Sequence, residues 1–144
     1  MTIQELHKLT DTQTEDILAL MEELDPDIPA NPEALNKTVG SGTSHFFAAV
    51  EEDGHVSGCA TLCIYYSPTG RKASVEDVVV GSAFRGRKIG RQLMEHLIDF
   101  ASREFDKVDI HLTSRPHRTA ANDLYKKLGF QQRETNAYVM KLSH

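Results

Sequence analysis

Long apolar runs are missing from this chain: no stretch approaches the ~20 residues that a membrane-spanning helix needs. The opening MTIQELHKLT also lacks the basic start and apolar run of a secretion signal, so the expected location is cytoplasmic, with no membrane partner. Cysteine is scarce, with 2 in 144 residues. Cys59 and Cys63 lie in HVSGCATLCIYY, which reads as a strand, and at ~3.3 Å per residue they would stand about 13 Å apart on one face. A disulfide needs Cα atoms within about 7 Å, so these two cannot bridge each other. Their spacing is not that of the tight pairs of zinc sites either, and both read as core-filling thiols. His45, His55, His111 and His117 show no ligand spacing such as HExxH, so no metal is expected. Basic charge is in deficit, with 16 Lys and Arg against 21 Asp and Glu and a net charge of -5. A general nucleic-acid binder would carry an excess of Lys and Arg over a whole face, so nucleic acid is not an expected partner. Repeats, low-complexity runs and linkers are absent as well.

What is present fits one domain, residues 1–144, long enough to bury a core without staples. The 40% hydrophobic and 26% charged fractions are those of a soluble globular protein. A short strand opens the chain between Thr2 and Leu9. Thr10 or Thr12 then caps a helix with Ile17, Leu20, Met21 and Leu24 on one face. The prolines of DPDIPANP end it, and a second short helix runs from Pro32 to about Val39. The Asp-Gly turn in EEDGH joins Ser44 to Glu51 and His55 to Tyr66 as a hairpin. SPTGRK leads into a third antiparallel strand, apolar almost throughout from Val75 to Val80, as a central strand is. Ile89, Leu93, Met94, Leu97, Ile98 and Ala101 trace one face of a helix. Lys107 to Ser114 alternates as a strand. A helix from about Arg118 to Leu128 is terminated by Gly129, and one or two short strands are expected between Gln131 and Lys141. This order gives an α/β (α+β) fold, a mixed, mostly antiparallel central sheet with helices on both faces.

The segment FRGRKIGRQL, Phe84 to Leu93, is where the chemistry concentrates. It sits between a buried strand and an amphipathic helix, where N–H groups not yet hydrogen-bonded point outward beside the positive end of the helix dipole. Gly86 and Gly90 permit a tight turn and close approach of a ligand. Arg85, Arg87, Lys88 and Arg91 add positive charge that is unfavourable to the helix dipole and calls for a compact anion. The phosphate loops GxxxxGK[ST] and GxGxxG are both absent, so this is a different anion loop.

VEDVVVGSAFRGRKIGRQLM resembles the core motif of the GNAT superfamily of N-acetyltransferases, a strand followed by Arg/Gln-x-x-Gly-x-Gly/Ala and a helix. Arg85 takes the first place of that pattern and Gly90 the last, with Lys88 where the middle glycine usually stands. AANDLYKKLGF, Ala120 to Phe130, is similar to the family's later helix with its Leu-Tyr-x-x-Leu-Gly-Phe ending. The resemblance implies the GNAT fold, with acetyl-CoA as cosubstrate. It implies that the loop Arg85, Gly86, Arg87, Lys88, Ile89, Gly90 and Arg91 holds the pyrophosphate, and that the backbone of Val78, Val79 and Val80 lines the pantetheine arm.

Acetyl transfer from a thioester to an amine needs a base for the amine, donors for the carbonyl oxygen and an acid for the departing thiolate. Tyr125 resembles the tyrosine that serves as that acid in many family members, although a core aromatic also suits its helix face. Glu76 is the candidate base, acting directly or through a water. Strand alternation would point it with Val78 and Val80 at a buried position, where a carboxylate either works or pairs with a cation, and would point Asp77 with Val75 and Val79. Similar Glu-Asp pairs in amino-sugar-phosphate acetyltransferases of the family bring Asp77 into consideration. Arg118 replaces an asparagine that many relatives carry seven residues before the tyrosine, and Asn122 is the nearer substitute. Arg115, His117 and Arg118 are read as solvated, or as touching the coenzyme or an anionic acceptor. The acceptor, by resemblance, lies between the first two helices and the strand ends, near Asp25, Asp27, Ile28, Tyr65 and Tyr66, where acidic residues suit a cationic amine. The leading expectation is acetylation of a primary amine of a small molecule. The rivals are a protein N-terminus or lysine as acceptor, and a coenzyme-binding sensor without catalysis. A homodimer is compatible with the family.

Overall fold

The computed structural model describes residues 1–143. Residues Met1–Thr113 form one compact unit and the chain from Ser114 a second. In the first, strands β1 (Thr2–Glu5), β2 (Ser44–Val50), β3 (Val56–Ser67), β4 (Gly70–Val80) and β5 (Asp109–His111) lie in the order β1-β2-β3-β4-β5. All pairings are antiparallel except the parallel one between β4 and β5. Helices α1 (Asp11–Leu24) and α2 (Pro32–Val39) separate β1 from β2, and α3 (Ile89–Glu104) separates β4 from β5. No helix among the described residues is long and apolar enough to cross a membrane.

Local chemistry sets the helix ends. The Thr10 hydroxyl accepts the Gln13 N–H at 3.1 Å while the Gln13 side chain accepts the Thr10 N–H at 3.0 Å, a reciprocal cap of the kind that contributes about 1 kcal/mol. Pro32 starts α2, where its missing N–H costs nothing, and the Asn31 side chain accepts the Ala34 N–H at 3.0 Å. Ile17 and Leu20 of α1 and Leu35 and Val39 of α2 join Phe46 and Val79 in one core cluster on one face of the sheet. On the other face Phe47 meets the rings of Phe100 and His96 of α3 at 5.3 and 5.4 Å, and Leu93, Met94 and Leu97 are fully buried. Gly58 lets α3 approach β3: a Cβ there would stand 3.0 Å from the Val79 carbonyl and 3.3 Å from the Ile89 and Leu93 side chains. Cys59 is buried and Cys63 half-buried, and both are free thiols.

The second unit contains α4 (Thr119–Lys127). Gly129 follows it at φ 104°, the left-handed conformation of a helix terminator, and Phe130 packs edge-on against Tyr125 with ring centroids 6.0 Å apart. The strands expected between Gln131 and Lys141 do not form, since residues 131–143 carry neither helix nor strand. Tyr138, Val139, Met140 and Leu142 have an apolar pattern yet stand exposed. A strand needs a ladder partner for its N–H and C=O groups, and this segment has none among the described residues.

Candidate functional site

The connection from β4 to α3 is the loop singled out by its glycines and basic residues. Gly86 lies at φ 87° and Lys88 at φ 61°, both left-handed. Glycine adopts that conformation freely, whereas a residue with a Cβ does so at about 1–2 kcal/mol. The place held by Lys88 is therefore one whose backbone favours glycine. Lys88→Gly should stabilise the fold by about 0.5–1 kcal/mol after the extra unfolded-state freedom of glycine is subtracted. Chemical denaturation would show it, and a lower midpoint would mean that the lysine side chain holds the loop.

Lys88 is also the N-cap of α3, but no side chain caps this helix and its first turn carries no acidic residue. The first-turn N–H groups of Ile89, Gly90 and Arg91 thus have no side-chain acceptor among the described residues. Uncapped donors, a dipole end and a turn opened by Gly86 fit a pyrophosphate group. The basic side chains play unequal parts. Arg87 bonds Glu51 at 2.7 Å, and Glu51 also accepts the Ser57 hydroxyl at 3.1 Å. The bond from Arg87 is the main reason the Glu51 carboxyl sits below its ordinary pKa. Arg87 therefore ties the loop to the end of β2. Arg91 pairs with Glu95 at 2.8 Å, and Arg85 stands 3.8 Å from Glu23, which also accepts the Ser82 N–H at 2.9 Å. Lys88 has no ion pair among the described residues. Glu23 and Glu51 lie far from the loop in the chain, and no sequence signal marked them.

β4 departs from regular alternation just before this loop. On β3, Cys59 and Thr61 are two residues apart; their partners on β4, Val79 and Glu76, are three apart. One extra residue has been inserted, a bulge, and Asp77 within it lies at φ 51°. Glu76 therefore shares a face with Val79 and with Thr61 and Phe46, the face covered by α1 and α2. The expectation that it would point with Val78 and Val80 at a buried position is corrected: it is exposed, and accepts the Ser74 hydroxyl at 2.6 Å. Asp77 is exposed as well, yet partial desolvation of its carboxyl raises the pKa above the ordinary range, and the charge of Glu76 adds to the shift. The bulge thus places two carboxyl groups side by side. β5 pairs with β4 only at Lys72, Ala73 and Ser74, so Val75 to Val80 have no strand partner on that edge among the described residues.

Asp77 lines a cavity of about 260 Å³ under α1 and α2, together with Ile17, Leu18, Met21, Leu35 and Phe46. Asp25 and Ile28, two of the residues expected near the acceptor, line it too; Asp27, Tyr65 and Tyr66 do not.

In the second unit Tyr125 is buried, and burial raises its phenol pKa, with the charge of Arg118 opposing the rise. The Asn122 side chain donates to the Arg115 carbonyl at 3.1 Å, closing the turn ahead of α4. Arg118 is the N-cap of α4 without a side-chain cap bond.

Residues 5–130 match the Acetyltransferase (GNAT) family. The chain belongs to the GNAT family. It is 36% identical over 87 residues to streptothricin acetyltransferase of Streptomyces lavendulae, covering 60% of this chain and 44% of that protein. It is 31% identical over 106 residues to N-alpha-acetyltransferase RimI of Mycobacterium tuberculosis, covering 74% of this chain and 64% of the relative. These matches thus span under two thirds of either relative's length. Among solved structures, this GNAT chain is similar to a putative acetyltransferase from Agrobacterium tumefaciens, with a TM-score of 0.81, 23% identity and coverage of 98% and 100% of the two chains. Glucosamine-6-phosphate N-acetyltransferase from Arabidopsis thaliana has a TM-score of 0.76 at 19% identity, over 97% and 99% of the chains. At these identities the structural matches establish the fold: the mixed, mostly antiparallel sheet with its helices is that of GNAT proteins.

Proposed function

We propose that the protein is an N-acetyltransferase that moves an acetyl group from acetyl-CoA to a primary amine of a small molecule. The observation that carries this reading is the uncapped start of α3, reached from a strand whose outer edge is unpaired and whose bulge presents two carboxyl groups. Acetyl-CoA supplies the thioester. The N–H groups at Ile89, Gly90 and Arg91, with Gly86 opening the turn and Arg85 and Lys88 adding charge, bind its pyrophosphate. Arg87 acts on the loop through Glu51. The free edge at Val78, Val79 and Val80 offers backbone donors and acceptors to the amide groups of the pantetheine arm, in the manner of an added strand.

Asp77 holds the acceptor ammonium and Glu76, its neighbour on solvent-facing backbone, takes the proton directly or through a water. The resemblance of α4 to the family's later helix makes Tyr125 the acid for the departing thiolate and assigns Arg118 and Asn122 to the coenzyme. The relative named as an N-alpha-acetyltransferase makes a protein N-terminus the second reading. A cavity of about 260 Å³ suits a small molecule better than a peptide.

Calorimetric titration with acetyl-CoA tests the proposal. Binding that weakens about tenfold or more when Arg85 and Lys88 are both changed to Ala is expected, the range for hydrogen bonds to charged groups. No binding to the unaltered chain would leave a GNAT fold without the coenzyme chemistry.

A further inference from the structure

The cavity under α1 and α2 has an uneven lining. Ile17, Leu18, Met21, Leu24, Leu35 and Phe46 make most of its lining apolar, and the polar contributions from Asn31, Thr38 and Thr61 are neutral. Its only charged groups are the carboxyls of Asp25 and Asp77, and no Lys, Arg or His lines it among the described residues. A phosphate or carboxylate brought into this space would lose water and gain no cation in return, which disfavours it. An ammonium would gain a carboxylate. Asp77 takes φ 51°, a left-handed conformation that Asp and Asn adopt more readily than other residues with a side chain. The inserted residue of the bulge is what directs it to the cavity instead of the sheet ladder. At about 260 Å³ the cavity lies at the small end of ligand pockets, which favours a compact acceptor.

Building on the acetyltransferase reading above, we infer that the acceptor is a compact amine whose only charge is its ammonium and whose body is apolar, with Asp77 binding the ammonium and the α1 and α2 side chains enclosing the body. Amino acids and amino-sugar phosphates are thereby rejected, because each carries an anion that the cavity has no group to meet. Specificity here comes from the missing cation as much as from the apolar contacts.

The test is calorimetric titration of the full chain with phenethylamine, with and without coenzyme A, beside phenylalanine and glucosamine-6-phosphate as anionic counterparts. Phenethylamine should bind, phenylalanine and glucosamine-6-phosphate should bind at least tenfold more weakly, and Asp77→Asn should weaken phenethylamine at least tenfold. Asn tolerates the left-handed backbone, so this variant keeps the fold; a thermal melt verifies it. Equal or tighter binding of either anionic amine, insensitivity to Asp77→Asn, or no binding of phenethylamine overturns the inference. Acetyl transfer to the anionic amines alone would sink the inference while leaving the acetyltransferase reading intact. Phenethylamine binding of the expected pattern with no acetyl transfer to any amine would do the reverse.

Discussion

Tyr125→Phe should lower the rate of acetyl transfer about 100-fold while leaving acetyl-CoA affinity within about twofold, the signature of a lost general acid. The departing thiolate needs a proton, and Tyr125 is the phenol that the family motif places in α4. Burial raises its pKa, and the opposing charge of Arg118 does not cancel the rise. The direction matters, because an acid must still hold its proton at neutral pH, and a raised phenol pKa lies above the ordinary ~10. Activity that depends on the protonated phenol should therefore persist through neutral pH and fall only on the alkaline side of that value. Removing the hydroxyl keeps the ring that packs on Phe130 at 6.0 Å, so the variant should melt close to the parent. Steady-state kinetics with saturating acetyl-CoA would separate the two parameters. A kcat equal to that of the parent would return Tyr125 to the role of a core aromatic, which its burial alone explains equally well.

The parts of this molecule that were readable in the sequence are those governed by local pattern. The stripe Ile17, Leu20 in α1 and the stripe Ile89, Leu93, Met94, Leu97 in α3 are buried, and Thr10 is the cap of the two candidates, with Gln13 answering it. The Asp-Gly turn brings Gly54 to φ 90° between β2 and β3. What was not readable depends on partners distant in the chain. Alternation assigned Glu76 and Asp77 to opposite faces because period-2 counting has no place for an inserted residue. The bulge appears only when Cys59 and Thr61 are set against Val79 and Glu76. The sequence of the basic loop offers four charges to an anion, yet Arg87 is held by Glu51 and Arg91 by Glu95. The segment holding Tyr138, Val139 and Met140 has a strand's composition and no strand's pairing. Composition sets which residues are able to form a ladder, whereas the ladder itself requires a second edge.

Glu76→Gln should cost about 100-fold in acetyl transfer near neutral pH, within the range attributed to a positioned base, and the loss should shrink as pH rises. Below its own pKa of about 10.4 a simple amine is mostly ammonium, and its free fraction grows tenfold with each pH unit. Where a carboxylate is present to take the proton, the enzyme draws on the ammonium it has bound; with glutamine in its place, only the amine that has already lost its proton can react. The variant's rate should accordingly climb with pH more steeply than the parent's and approach it on the alkaline side. Asp77→Asn makes the contrast, because a carboxylate that binds the ammonium should act mainly on KM, whereas one that removes its proton should act mainly on kcat. The bulge is what allows this division: it sets two adjacent exposed residues on one side of β4, one lining the cavity and the other bonded to Ser74. Parallel pH profiles for the Glu76 variant and the parent would remove Glu76 as the base. A kcat effect confined to Asp77→Asn would then move the proton transfer one residue along the strand, to the carboxyl whose pKa partial burial already raises.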